Sequence, residues 1–188
     1  RFDFEPVDST RTTAIYDLAR ATWTAGPSLI GPRHEHTATL LPSGKVLVAG
    51  GIEWIFRQGS PYVPSYLATS EVFDPATDSW SAVGSLEGRR AYHSATLLLD
   101  GNVLVAGGIT DTEVPGVDVA PPSAQIYVAA SASWRSVPDV QNARYAHTAT
   151  LLEDGSVLVV GGVGLSRSSY LNSAERYYPA ASIDDRYT

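Results

Sequence analysis

The stretch His36-Thr-Ala-Thr-Leu-Leu-Pro-Ser-Gly-Lys-Val-Leu-Val-Ala-Gly-Gly51 decides the fold, because it occurs three times. The second copy begins at His93 and ends at Gly108, the third begins at His147 and ends at Gly162, and each is 16 residues long. Their starts lie 57 and then 54 residues apart, and Trp23, Trp80 and Trp134 recur with the same two spacings, 13 residues ahead of each His. Seven residues before each Trp stands an aromatic, Tyr16, Phe73 or Tyr127; Tyr177 continues that series, with Pro179 echoing Pro75. Marks held in a fixed order at such a period are the signature of a repeat architecture.

Within each copy the pattern predicts a strand a over 37–41, 94–98 and 148–152, a tight turn, and a strand b at 46–49 or its equivalent. The turns carry Ser43-Gly44, Asp100-Gly101 and Asp154-Gly155, where glycine tolerates the positive φ of a tight hairpin, so a and b are antiparallel. Both strands are apolar on both faces, which fits a sheet lying between two other sheets. A variable loop leads to strand c around the aromatic, and a short polar turn leads to strand d at the Trp. No segment keeps a 3.6-residue period, so little helix is expected.

Short four-stranded antiparallel sheets repeating at about 50 residues are blades of a β-propeller, and the predicted fold class is all-β. The blocks Arg33-x-x-His36-Thr-Ala-Thr-Leu-Leu, Gly50-Gly51, Phe73 and Trp80 resemble kelch repeats of the bacterial and galactose-oxidase-like kind over residues 12 to about 180. The resemblance implies that the Gly-Gly pair ends strand b beneath the aromatic and Trp of adjacent strands. It also divides the chain into an N-terminal segment 1–11, kelch repeats 12–180 and a tail 181–188. The repeats comprise a half-blade 12–27, blades 36–84 and 93–138, and a partial blade 147–180.

This arc of about three to three and a half blades does not close. Seven residues after Tyr177 the expected Trp is Asp184, and no Gly-Gly strand precedes Tyr16; Phe2-Asp3-Phe4-Glu5 alternates like one extra edge strand. Propellers need about four to eight blades to wrap an axis. An open arc leaves apolar faces and strand edges that associate. Completion is therefore expected from a second copy or from the remaining blades of a longer chain.

The chain of 188 residues carries 13 Lys+Arg against 20 Asp+Glu, a formal charge of −7, with 44% hydrophobic residues and no Cys or Met. A chain of this size buries roughly 70% of its unfolded surface without disulfides. Lys45 is the only lysine, and the acidic balance argues against nucleic-acid or anionic-membrane partners. The longest apolar runs, such as 156–165, are too short to span a bilayer as a helix. An opening at Arg1 and zero cysteine fit a processed secreted or periplasmic protein, or a cut piece, with a cytoplasmic chain as the other reading. Twelve arginines to one lysine point to a bacterial, high-GC composition.

Among residues able to carry chemistry, His36, His93 and His147 begin strand a and would ring the axis, where imidazoles hold a divalent metal or simply serve the repeat's own hydrogen bonds. His34-Glu35 departs from Ala91-Tyr92 and Tyr145-Ala146 at the same position, and His34 shares a strand face with His36, a second possible metal or proton site. Arg33, Arg90 and Arg144 are either structural guanidiniums bonded to loop carbonyls or a positive ring for an anionic ligand. The first b–c loop, 22 residues from Gly51 to Phe73 against 19 and 15 later, carries Trp54, Phe56, Arg57, Tyr62 and Tyr66, the composition of a binding hot spot or of a cap on the arc. Asp111, Glu113 and Asp118 in the second b–c loop offer oxygens to calcium.

No nucleophile elbow, phosphate-binding glycine loop or His-Glu-x-x-His occurs. The copper site implied by the galactose-oxidase resemblance needs a Tyr–Cys crosslink, which a chain without cysteine lacks. The expected function is a non-catalytic kelch propeller binding a protein or glycan through its b–c and d–a loops, with no cofactor beyond a possible metal ion. The alternatives are a catalytic propeller with a His-based metal centre acting on a sugar or small molecule, and a purely structural assembly subunit. Propellers host many functions, so fold alone does not choose.

Overall fold

The computed structural model describes residues 10–55, 63–112, 118–165 and 169–178. Every regular element among them is a strand. First comes the hairpin β1 (Thr13–Asp17) and β2 (Thr22–Gly26). β3 (Thr37–Leu40) and β4 (Val46–Ala49) follow, then a small hairpin of β5 (Ile52–Ile55) and β6 (Val63–Tyr66), then β7 (Ser70–Asp74) and β8 (Ser79–Val83). The pattern repeats with β9 (Ser94–Leu97), β10 (Val103–Ala106), β11 (Thr110–Asp111), β12 (Asp118–Val119), β13 (Ala124–Val128) and β14 (Ser133–Val137). β15 (Thr148–Leu151), β16 (Val157–Val160) and β17 (Ala174–Tyr177) end it.

These strands form two four-stranded antiparallel sheets, β3-β4-β7-β8 and β9-β10-β13-β14, and a three-stranded sheet β15-β16-β17. They are blades in the order a-b-c-d, enclosed by the expected spans 36–84, 93–138 and 147–180, with β1 and β2 as the c–d half-blade. The suggested edge strand at Phe2 to Glu5 and position Asp184 lie outside the described residues. Strands β3, β9 and β15 pack side by side and so line the axis.

Burial follows from position in the stack. β10, with a sheet on either side, is buried at all four residues, whereas Val160 at the end of β16 is 42% exposed. Leu41, Leu47 and Val72 of the first blade meet Val103 and Tyr127 of the second, and Leu104 and Ile126 of the second meet Val157 and Val159 of the third. Ala38 and Leu40 of β3 are exposed, whereas Ala95 and Leu97 at the same positions of β9 pack against the first blade, because among the described residues no strand a precedes β3 in the stack.

The aromatic–Trp spacing is explained by the c–d register. Tyr16, Phe73 and Tyr127 stand directly across from Trp23, Trp80 and Trp134. Each described Trp indole between blades then ties its blade to the one before: Trp80 Nε1 donates to the Pro27 carbonyl at 2.9 Å and Trp134 Nε1 to the Gly84 carbonyl at 2.8 Å.

The Gly-Gly pair needs a correction. Gly50 and Gly107 lie not beneath the aromatic and Trp but against the next repeat's Arg and His, and Gly51 and Gly108 lie against the His of their own repeat. Gly50 and Gly51 have φ of 62° and 105°, and a Cβ on Gly50 would stand 2.5 Å from the Arg90 carbonyl oxygen and 2.9 Å from His93 Cε1. Gly51 N donates to that carbonyl at 2.8 Å, and Gly108 N donates to the Arg144 carbonyl at 2.9 Å. Absence of a side chain here lets one blade's backbone reach the next.

Candidate binding face

Just before each strand a, the chain pairs with the residue following the Gly-Gly pair: His34 with Ile52, Ala91 with Ile109 and Tyr145 with Val163. The d–a and b–c loops therefore share one end of the blades. The next residues, Glu35, Tyr92 and Ala146, are left-handed at φ of 52°, 54° and 51°, an uncommon state outside glycine. They are linked around the axis, with Tyr92 N donating to the Glu35 carbonyl at 3.3 Å and Ala146 N to the Tyr92 carbonyl at 2.9 Å. Such outliers persist only where surrounding structure over-determines them, and they gather at functional sites.

The three arginines are taken up inside the blades. Arg33 Nη1 donates to the carbonyls of Gly50 (2.8 Å) and Thr69 (3.0 Å), and its Nη2 pairs with Glu71 at 2.6 Å. Arg144 repeats this with Gly161, Ser173 and Glu175. Arg90 bonds Gly107 (3.0 Å) and Ser123 (3.1 Å), but Gln125 replaces the glutamate, and burial pulls the guanidinium down to about 10 despite nearby Asp139 and Glu87. Each main chain carbonyl of Arg90 and Arg144 grips the preceding blade while the side chain grips its own. Guanidinium donors so occupied do not form the positive ring at the channel mouth that the sequence allowed.

The histidines act likewise. His93 Nε2 lies 2.9 Å from Thr37 Oγ1 and His147 Nε2 2.9 Å from Ser94 Oγ, each reaching the preceding strand a. Burial, then the neighbouring Arg90, pushes His93 down to about 3; burial, then Arg144, pushes His147 down to about 4; burial and Arg33 lower His36. The Nδ1 atoms of all three are buried without a partner, which suits a neutral ring protonated at Nε2. Among the described residues no three His, Asp or Glu side chains converge as metal ligands. The metal reading of His34, Glu35, His36, His93 and His147 thus has no geometric support. Asp111 and Asp118 do face each other across β11 and β12, while Glu113 lies outside the described residues.

A cleft of about 370 Å³ opens at this end between the first two b–c hairpins. Its floor is apolar, from buried Ile52 and Ile109. Its walls are Trp54, Tyr66, Tyr92 and Tyr145, with His34 and Asp118 completing them. His34 and Trp54 stack at 6.0 Å and 11°, and Tyr92 meets Tyr145 edge-on at 6.4 Å. Burial and the nearby Glu35 carboxylate raise the pKa of the Tyr92 hydroxyl. Two expected loop residues, Trp54 and Tyr66, are brought here, while Phe56, Arg57 and Tyr62 lie outside the described residues. Sequence reasoning missed Tyr92 and Tyr145, and offered Asp118 only as a calcium ligand. The signal was present, since the dipeptides Ala91-Tyr92 and Tyr145-Ala146 occupy the position of His34-Glu35, but an aromatic there reads as filler until the blades are set side by side.

A larger cavity of about 880 Å³ lies at the other end, between the a–b and c–d turns of the first two blades. Its rim is made of turn residues such as Pro42, Ser43 and Ala130, and its charged pair, Lys45 and Asp74, is joined at 2.9 Å. It gathers no comparable set of aromatic rings.

No protein-family model matches the chain. Among curated proteins it is similar to the Kelch-like protein terF of Aspergillus terreus, 26% identical over 142 residues that cover 74% of this chain and 30% of that protein. It is also similar to the Kelch repeat-containing protein kel-10 of Caenorhabditis elegans, 25% identical over 134 residues, 71% of this chain and 22% of that protein. The repeats and the all-strand blades resemble those of kelch-repeat proteins and fit a kelch-type β-propeller. A shorter similarity, 47% identity over 76 residues, joins 40% of this chain to 10% of the tRNA wybutosine-synthesizing protein 4 of Saccharomyces cerevisiae. This kelch arc spans less than a third of the length of each of these relatives.

Proposed function

We propose that this kelch arc is a non-catalytic interaction module that binds a protein through the end of the blades bearing the d–a and b–c loops. The aromatic cleft carries the reading: exposed tyrosine and tryptophan around an apolar floor, on loops held by a rigid scaffold, are the composition of a binding hot spot. A metal-centred catalytic reading finds no ligand cluster among the described residues. Peptides selected from a display library on the purified protein test the proposal. Selected binders are expected to lose about tenfold or more in affinity to both Trp54→Ala and Tyr92→Ala. A set of binders indifferent to both substitutions would overturn it.

A second feature bears on partners. Trp23, whose counterparts wedge between blades, is 69% exposed, as are parts of Ile15 and Tyr16 beside it. We propose that further kelch blades, supplied by a second copy or by more of a longer chain, cover this face.

A further inference from the structure

We propose that the aromatic cleft receives a cationic side chain, the guanidinium of an arginine or the ammonium of a lysine, on the protein partner. The inference rests on the interaction reading above and names the chemistry that the cleft selects. At about 370 Å³ the space is at the small end of ligand pockets, the size for one side chain and not for an extended ligand. Aromatic faces carry negative charge density and attract a cation brought within about 6 Å of the ring centre. Trp54 and Tyr92 are 37% and 38% exposed there, and Tyr145 stands behind Tyr92. The Glu35 carboxylate lies near enough to the Tyr92 hydroxyl to raise its pKa, so a negative charge stands near that ring.

The charges agree with the rings. Asp118 contributes a carboxylate to the wall, and Asp111 lies directly across the β11–β12 hairpin from it. The described lining residues include no Lys, Arg, Asn or Gln. Among these residues an anionic peptide would meet the Asp118 carboxylate and aromatic faces. The tyrosine hydroxyls and His34 also suit a neutral sugar, which makes an oligosaccharide the competing ligand.

The test uses four short peptides of one Gly/Ser sequence that differ at a central residue: arginine, lysine, citrulline or glutamate. Citrulline keeps the shape of arginine without its charge. Affinities are measured by calorimetry at two salt concentrations, with a neutral oligosaccharide as a further ligand. The arginine and lysine peptides are expected to bind about three- to thirtyfold more tightly than the citrulline peptide, with the advantage shrinking at high salt. Asp118→Asn and Glu35→Gln should each remove much of that preference, while Tyr92→Phe, which keeps the ring, should retain more of it than Tyr92→Ala. Equal binding of arginine and citrulline, or no binding of either, overturns the inference. Oligosaccharide binding that is lost in Tyr92→Ala, without arginine binding, reassigns the cleft to a glycan. Display-selected peptides that need Trp54 and Tyr92 but are acidic or neutral would sink this inference and leave the interaction reading standing.

Discussion

His93 is 6% exposed between two blades, with Nε2 on the Thr37 hydroxyl and Nδ1 unpartnered. A free histidine takes its proton near pH 6.5. In the folded chain His93 does so only near 3 and His147 near 4, since burial and the adjacent arginines oppose a second positive charge. Below pH 6.5 the unfolded chain binds more protons, so stability is full above that pH and falls as pH drops toward 4 and then 3. Urea unfolding should show a loss on the order of 2 kcal/mol per pH unit between about pH 6 and 5, before carboxylates begin to titrate. His147→Gln should lower that slope, and a flat profile in this window contradicts the neutral buried rings. At this scale the recurrence of Arg33, Arg90 and Arg144 was legible in the chain, and so was the choice between a carbonyl clamp and a ligand ring. Only the packed blades show Arg33 meeting Glu71, because their 38-residue separation leaves no local pattern to read.

The c–d hairpin is the element that fastens each blade to its neighbour. Trp134 packs against Tyr127 and Val105, and its indole reaches across to Gly84. Trp134→Ala is expected to cost about 3–5 kcal/mol in chemical denaturation, through the vacated volume and the lost hydrogen bond. Trp23→Ala, at an exposed counterpart, should cost far less in the same measurement; equal costs would show that position between blades does not set the value of this ring. The a–b hairpins and the c–d pairing were readable because turn glycines and aromatics recur. The hairpins β5–β6 and β11–β12 were not. Strands of two to four residues, one containing Pro64, carry too few alternations to separate from loop, and their pairing is imposed by the neighbouring b–c loop.

Across the whole molecule, apolar flanks set the behaviour of the two ends. The exposed Trp23, Ile15 and Tyr16 at one end and Val160 at the other fit blades that continue. Sedimentation should therefore show residues 1–188 self-associating with rising concentration, and Trp23→Arg should weaken that association. A well-folded monomer at all concentrations, unaffected by Trp23→Arg, would rule out a second copy as the cover of this face. The chain's own order determined the all-β class and the four-stranded antiparallel sheets, because these follow from local turns and from a repeat that needs no partner to be seen. Tertiary structure alone decided that Gly50 and Gly107 face the next blade's Arg and His, that His93 and His147 fasten blades, and that His34, Trp54, Tyr92, Asp118 and Tyr145 enclose one cleft. Those residues come from separate repeats, and only the stacking of sheets around an axis brings them together.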